Sequence, residues 1–342
     1  MLASFTWLGM PAEVAVGCVM LLALTAYAIF AGADFGGGIL DLVSFGPRRT
    51  EQQKAIADAM GPVWEANHVW LIFLVVILFT AFPPAFQALS IAFYLPFHLV
   101  LIGIVLRGAA FVFRANADLT SFHWTAWARV FGVASVITPF LLGATAGAIS
   151  SGGIRVTDGV VTTNPALAWF SPVSLGIGAL TLAVCAYLAA VFLTVETDGD
   201  LREDFRFHAL GAGATVAVIA AALLPLIAKG SPLLWEHLAR PQSAPPMIAG
   251  GVLALLSGVL VYMRRYKWAR ALAVAEVVIV LWGWAFAQWP YIIYPDMTVQ
   301  ESAASGPALR FFLSTLPYGL AVLVPSLIFL FYTFKGRRRP TV

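Results

Sequence analysis

Nine apolar runs, each long enough to cross a bilayer, divide nearly the whole chain, and they constrain its fold more than any other feature. They lie near 12–33, 60–82, 87–113, 127–149, 168–194, 208–228, 246–263, 268–289 and 311–334. A hydrocarbon core about 30 Å thick is crossed by about 20 apolar residues in a helix. In lipid every backbone N–H and C=O has to be satisfied internally, and no ten-residue alternation marks a barrel, so helices are the expected element. The chain is 61% apolar and 11% charged, with a mean hydropathy of +0.88. Soluble domains run nearer 45–50% and about 25%. So few charges exclude a soluble domain, a disordered chain and a nucleic-acid binder.

Turn-rich segments separate the runs: GPRRTEQQK at 46–54, SGGIRVTDG at 151–159, TDGDLRED at 197–204 and PDMTVQESAASGP at 295–307. The longest loop holds only about 20 residues, so residues 1–342 are expected to form a single transmembrane domain. No Lys or Arg precedes the first run, which therefore reads as a retained helix and not a signal peptide. Cys18 and Cys185 both fall inside apolar runs and read as packing residues.

An odd number of spans puts the termini on opposite sides. With the basic tail Lys335, Arg337, Arg338 and Arg339 inside, the inner segments also hold Arg48, Arg49, Lys54, Arg114, Arg129, Arg202, Arg206, Arg264, Arg265, Lys267 and Arg270. The outer segments hold only Arg155, Lys229, Arg240 and Arg310, a ratio of fifteen to four. The positive-inside rule then predicts an outer N-terminus and a cytoplasmic C-terminus, with the tail anchored at the anionic leaflet.

Ionisable residues inside spans are expensive unless they are paired or face water, so each is a functional candidate. Asp34, Glu65, Arg107 and Glu276 stand out. Counted from the basic segments at a helical rise of 1.5 Å, Glu65, Arg107 and Glu276 each lie about 10 Å in, which predicts one shared polar layer. Two readings stay open. In one, Arg107 pairs with Glu65 or Glu276 and clamps the bundle. In the other, Asp34 and Glu65 relay protons inward, with His68 on the same helical face as Glu65.

His68 and His98 both come out at about mid-membrane depth, a placement that a b-type haem could use. Satisfaction by a neighbouring polar group is the commoner fate of such histidines. His123, His208 and His237 show no metal-binding spacing. AGADFGGG at 31–38 matches no phosphate-binding motif and instead suits a tight turn or close helix approach. Trp289 fits an interfacial belt, whereas Trp64 and Trp70 lie deeper and are expected to pack.

Four segments together resemble subunit II of the cytochrome bd family of quinol oxidases. AGADFGGGILDL at 31–42 is similar to that family's Asp-Gly-Phe-Asp-x-Gly-x-Gly pattern. GPVWEANHVWLIFLVVILFTAFPPAF at 61–86 is similar to its Pro-x-Trp-(Asp/Glu)-x-Asn-x-Val-Trp-Leu-Ile signature. LRGAAFVFR at 106–114 and QWPYIIYPDMTVQESAASGPAL at 288–309 complete the match, in order and across nearly the whole chain.

The resemblance implies an all-α polytopic integral membrane protein of nine transmembrane helices, arranged as two four-helix bundles plus one peripheral helix. It implies residence in a bacterial-type cytoplasmic membrane and partnership with a haem-bearing subunit I, which holds the b- and d-type haems and oxidises quinol. This chain is then expected to ligate no haem or metal. Its further partners would be small single-helix subunits and a structural quinone or lipid. Glu65 falls on the acidic motif position assigned to a proton path, and Asp34 on the second Asp of the glycine-rich pattern. The first Asp of that pattern is Ala31 here. Trp64, Asn67, Arg107 and Arg114 also fall on motif positions, and Trp70 on one implied to lie near an apolar oxygen route. The competing expectation is a secondary transporter with Glu65, Arg107 and Glu276 as its midplane site. Against it, the Gly61–Pro62 break has no counterpart in a second half of the chain.

Overall fold

The computed structural model describes residues 6–7, 9–60, 64–115, 122–241 and 243–335. In chain order its helices are α1 (Ala12–Val43), α2 (Arg49–Met60), α3 (Trp64–Ala81), α4 (Pro83–Ala92), α5 (Tyr94–Ala115), α6 (Phe122–Ser151), α7 (Pro172–Glu196), α8 (Gly199–Gly230), α9 (Pro232–Leu238), α10 (Ala244–Tyr262), α11 (Tyr266–Gln288) and α12 (Gly306–Lys335). Three two-stranded hairpins accompany them: β1–β2 (Thr6–Trp7, Met10–Pro11), β3–β4 (Val156–Thr157, Val160–Val161) and β5–β6 (Tyr291–Ile293, Met297–Thr298). Among the described residues eight helices, α1, α5 to α8 and α10 to α12, are long and apolar enough to span a membrane. The α3–α4 pair, bent by 119° across Phe82, is a ninth candidate. The chain is an all-α polytopic membrane protein.

The helices alternate between two ends. At the hairpin end, β3–β4 turns through Asp158 and Gly159 at φ of 50° and 76°, the left-handed pair that a two-residue hairpin loop needs and Asp-Gly supplies. Arg155 there holds Asp296 through two bonds of 2.8 and 3.0 Å, tying one hairpin to the other. Thr298 donates twice to Glu301, from its hydroxyl (2.7 Å) and its amide (3.1 Å), and these bonds hold the Glu301 carboxyl below the usual carboxylate range. At the opposite, basic end lie α2 and most of the arginines.

Helices α7, α8, α10 and α11 form a ring of neighbours. Helix α1 packs against α3, α6 and α7, α6 packs against α5, and α12 leans on α1 and α3. The outer face of α12, with Tyr318, Val322 and Phe329, stays exposed.

Helix α1 runs ten residues beyond the expected end at 33, because its glycines make close approach and not a turn. A Cβ on Gly36 would collide with the Cys185 carbonyl of α7, one on Gly37 with Met60 of α2, and one on Gly38 with Ser135 of α6. Three successive small residues thus let three helices close on α1, and their burial compensates for the polar Asp34 and Asp41. Gly36→Ala is expected to push α1 off α7 at an overpacking cost of about 1–3 kcal/mol. The check is thermal stability in detergent, compared with Gly17→Ala, whose Cβ would meet open space. Equal melting of the two variants would remove the argument.

The third apolar run also divides differently from the expectation of 87–113. Pro83 opens α4 at its first position, the tight junction at Phe93 follows, and α5 begins only at Tyr94. Hydropathy does not register this bend, since Ala85, Ala88, Leu89 and Ala92 of α4 are buried in the core. Segments 46–54 and 197–204, expected to be turns, carry helix in α2 and the first turns of α8. Their polar side chains answer one another: Arg48 donates to both oxygens of Asp204 at 2.8 and 2.6 Å, and Gln52 donates to the same carboxylate at 2.9 Å. Polarity there marks helix outside the hydrocarbon, not loss of helix.

Candidate functional site

Asp34 of α1 and Arg107 of α5 are 5% and 1% exposed. Asp34 accepts a hydrogen bond from the Asn67 amide of α3, and its charge acts on Arg107. Arg107 Nε donates to Ser135 Oγ at 3.2 Å, while Nη1 lies 3.5 Å from His68 Nε2. Ser135 is fixed in turn by donating to the Phe131 carbonyl at 2.8 Å. The guanidinium also lies over the Phe35 and Phe131 rings, 5.0 and 5.2 Å from their centroids. A buried cation is thus held by one carboxylate's field, neutral acceptors and aromatic faces contributed by α1, α3, α5 and α6.

The predicted single layer is split. Glu276 is buried on α11, but it sits in the ring of α7, α8, α10 and α11, and no ion pair joins it to Arg107. Its Oε2 has no hydrogen-bond partner among the described residues. The depth argument counts residues along each helix and carries no azimuth, which helix packing decides. The backbones of Glu65 and Trp64 belong to α3, but their side chains lie outside the described residues, as do the Gly61–Pro62 break and the arginines of the tail.

His68 and His98 do not share a level. His68 meets Arg107, and His98 lies nine residues earlier on α5, about 13 Å away along the helix. His98 is exposed, its Nδ1 2.7 Å from the Tyr94 carbonyl, whereas His68 is buried against Phe35. Their positions do not suit two axial ligands of one haem. The mid-membrane placement of His98 rested on the longer third span, which α4 shortens.

An unforeseen pair lies two turns further toward the basic end. Asp41 accepts two bonds from Arg114, at 2.8 and 3.0 Å, and Arg114 stacks over Trp124 at 4.3 Å. The signal for it was present. Asp34 and Asp41 are seven residues apart, as are Arg107 and Arg114, and seven residues return a helix to the same face after two turns. Helices α1 and α5 both run toward the basic end, so the two acids face the two bases in register.

Between α1, α2, α3, α7 and α11 a cavity of about 660 Å³ reaches from Asp34 and Asn67 to Glu196, Lys267 and Arg270 at the basic end. Its walls between these polar ends are apolar, including Ile29, Ala33, Ala189 and Val274. Arg270 and Glu196 approach to 3.5 Å at the mouth. A second cavity of about 580 Å³ lies on the other side of Asn67 and Phe30, where Trp70 faces Val324, Leu327 and Ile328 of α12.

A polytopic helical chain with a buried carboxylate–guanidinium file, opened by a cavity to one face of the membrane, has the build of a membrane protein that handles charge within the bilayer. Comparison with known proteins narrows the class. The model of the family described as cytochrome bd terminal oxidase subunit II matches residues 12–334, and the chain belongs to that family. It is a subunit of a quinol oxidase, an oxidoreductase. It is 26% identical over 320 residues to the cytochrome bd ubiquinol oxidase subunit 2 of Bacillus subtilis, covering 90% of each chain. It is 25% identical over 182 residues to the cytochrome bd-I ubiquinol oxidase subunit 2 of Escherichia coli, covering 52% of this chain and 47% of that one. A solved structure of the bd oxidase from Geobacillus thermodenitrificans superposes with a TM-score of 0.76 at 21% identity, over 96% of this chain and 99% of that chain, a likeness of fold.

Proposed function

We propose that this chain stabilises a haem-bearing subunit I and delivers protons from the basic, cytoplasmic face toward the site where that subunit reduces oxygen. The observation that carries the reading is the cavity joining Asp34 and Asn67 to the face marked by Glu196, Lys267 and Arg270. In this reading the N-terminus lies outside and the C-terminus in the cytoplasm. The chain's nine spans act as two four-helix bundles with α12 at the periphery. The b- and d-type haems would belong to subunit I and would supply the electron transfer from quinol to oxygen there.

The residues here hold and move protons. Water in the cavity brings a proton to the Asp34 carboxylate, whose hydrogen bond from Asn67 fixes the accepting oxygen. The Arg107 guanidinium, held by Ser135, Phe35 and Phe131, faces the charge of Asp34. Glu65 stands two residues before Asn67 on α3, and His68 lies one residue beyond Asn67 against Arg107. These are the groups the proton meets next. Ala31 replaces the first acid of the family pattern, and the water-sized space of the cavity covers that gap. The mostly apolar cavity at Trp70, with Asn67 and Tyr332 in its lining, offers room for oxygen, or for a quinone or lipid tail. Small single-helix subunits would find their apolar seat on the exposed face of α12.

The test begins with affinity purification of the tagged chain in mild detergent, with a difference spectrum and oxygen uptake on quinol. A stoichiometric haem protein is expected. In the same preparation Glu65→Gln should lower turnover at least about tenfold with haem content unchanged. Normal turnover in that variant, or a lone colourless chain, contradicts the reading.

A further inference from the structure

At the basic end, beside the Asp41–Arg114 pair and apart from the proton cavity, a pocket of about 160 Å³ is lined by Asp41, Arg49, Thr50, Gln53, Trp124 and Arg129. We propose that this pocket binds a phosphate group, gripped by Arg49 and Arg129 at the membrane surface.

Charge is the first argument. Arg48, Arg114, Arg202, Arg206, Arg264 and Arg270 at this end each form an ion pair. Among the described residues at this end Arg49, Arg129 and Arg265 form none, and of these Arg49 and Arg129 line one small pocket. Asp41, the acid in the lining, gives both oxygens to Arg114 and also feels the charge of Arg49, so one carboxylate stands among three guanidinium groups. Among the described residues the pocket therefore holds two guanidinium groups in excess, and their planar forks match the oxygens of a phosphate.

Geometry is the second. Arg49 and Thr50 are the first two residues of α2, so the positive end of that helix faces the pocket, and the Thr50 hydroxyl adds a donor. The Gln53 amide is tethered to the Asp41 carbonyl at 3.2 Å, and Arg114 holds one face of Trp124, so the wall is fixed before any ligand arrives. The volume equals about five waters at about 30 Å³ each, enough for a tetrahedral oxyanion. It lies well below the roughly 300–1,000 Å³ of sites for larger organic ligands. A phospholipid head group with its chains outside, or a free phosphate, fits that space.

The test uses the complete oxidase complex, purified in mild detergent and stripped of weakly held lipid. Phosphatidylglycerol and inorganic phosphate are titrated separately, and bound copies are counted by native mass spectrometry. Arg49→Gln with Arg129→Gln is expected to lose one tightly held copy and to bind it at least about tenfold more weakly. Arg264→Gln with Arg265→Gln, at the same end but outside the pocket, should match the unsubstituted complex. Loss of phosphatidylglycerol identifies a lipid head group as the source. Loss of inorganic phosphate alone identifies a soluble phosphate, and either result supports the site. If the double Gln variant does not assemble, Arg129→Gln alone should still weaken binding several-fold. Unchanged binding of both probes in the variants overturns the proposal.

Discussion

Asp34→Asn should slow oxygen consumption on quinol about a hundredfold while the haem spectrum and subunit ratio stay as they are, the result that the proposed proton path requires. The substitution is nearly isosteric, and the Asn67 amide can donate to the new carbonyl oxygen as it does to the carboxylate. Packing around a residue only 5% exposed is therefore preserved. What disappears is the ability to take a proton and the negative charge that faces Arg107. Asp34→Glu should retain a substantial share of the rate, because the cavity of about 660 Å³ beside it has room for one more methylene. Oxygen uptake with a saturating quinol, measured alongside a haem difference spectrum, separates transport from assembly. Turnover within twofold of normal in Asp34→Asn would show that protons do not pass this carboxylate.

Arg114→Ala should be the most damaging single change to assembly, with a cost of about 3–5 kcal/mol, because it strands the Asp41 carboxylate in a buried site. Asp41 and Arg114 are 1% and 8% exposed, and both carboxylate oxygens depend on the one guanidinium. Asp41→Ala should be nearly as harmful, since it leaves Arg114 with Trp124 as its remaining close contact. The informative variant is the double one. Asp41→Ala with Arg114→Ala removes both charges together and should recover part of the loss, since an absent pair costs less than half a pair. Melting temperature and yield by size-exclusion chromatography in detergent report the order. A double variant no better than either single would mean that lost packing, not an unpaired charge, carries the damage.

Much of the site was legible before the fold was known, but only in one dimension. Burial of Arg107 and Glu276 followed from their places in apolar runs, and both are buried, as is Asp34 one residue past the expected end of the first run. Their grouping did not follow: Arg107 meets His68, Ser135, Phe35 and Phe131, while Glu276 lies among other helices. The Asp41–Arg114 pair was signalled by matching seven-residue spacings on two helices. Asp41 was passed over because it lies near the end of a span longer than its hydropathy suggested.

By itself the sequence determined that the chain is a helical membrane protein, where its apolar segments lie, that charges such as Arg107 and Glu276 fall within them, and how strongly its basic residues favour one end. These are properties of composition along a line, and transfer into lipid acts on each segment separately. The tertiary structure alone decided the bend between α3 and α4, the extension of α1 to Val43 through its glycine contacts, and the partners of every buried charge. Those depend on helix rotation and on which neighbours close in, and both are settled by small residues meeting across interfaces, as Gly36 meets Cys185 and Gly38 meets Ser135. A hydropathy profile carries depth and no azimuth, so it could place Arg107 in the membrane but could not say what Arg107 would face there.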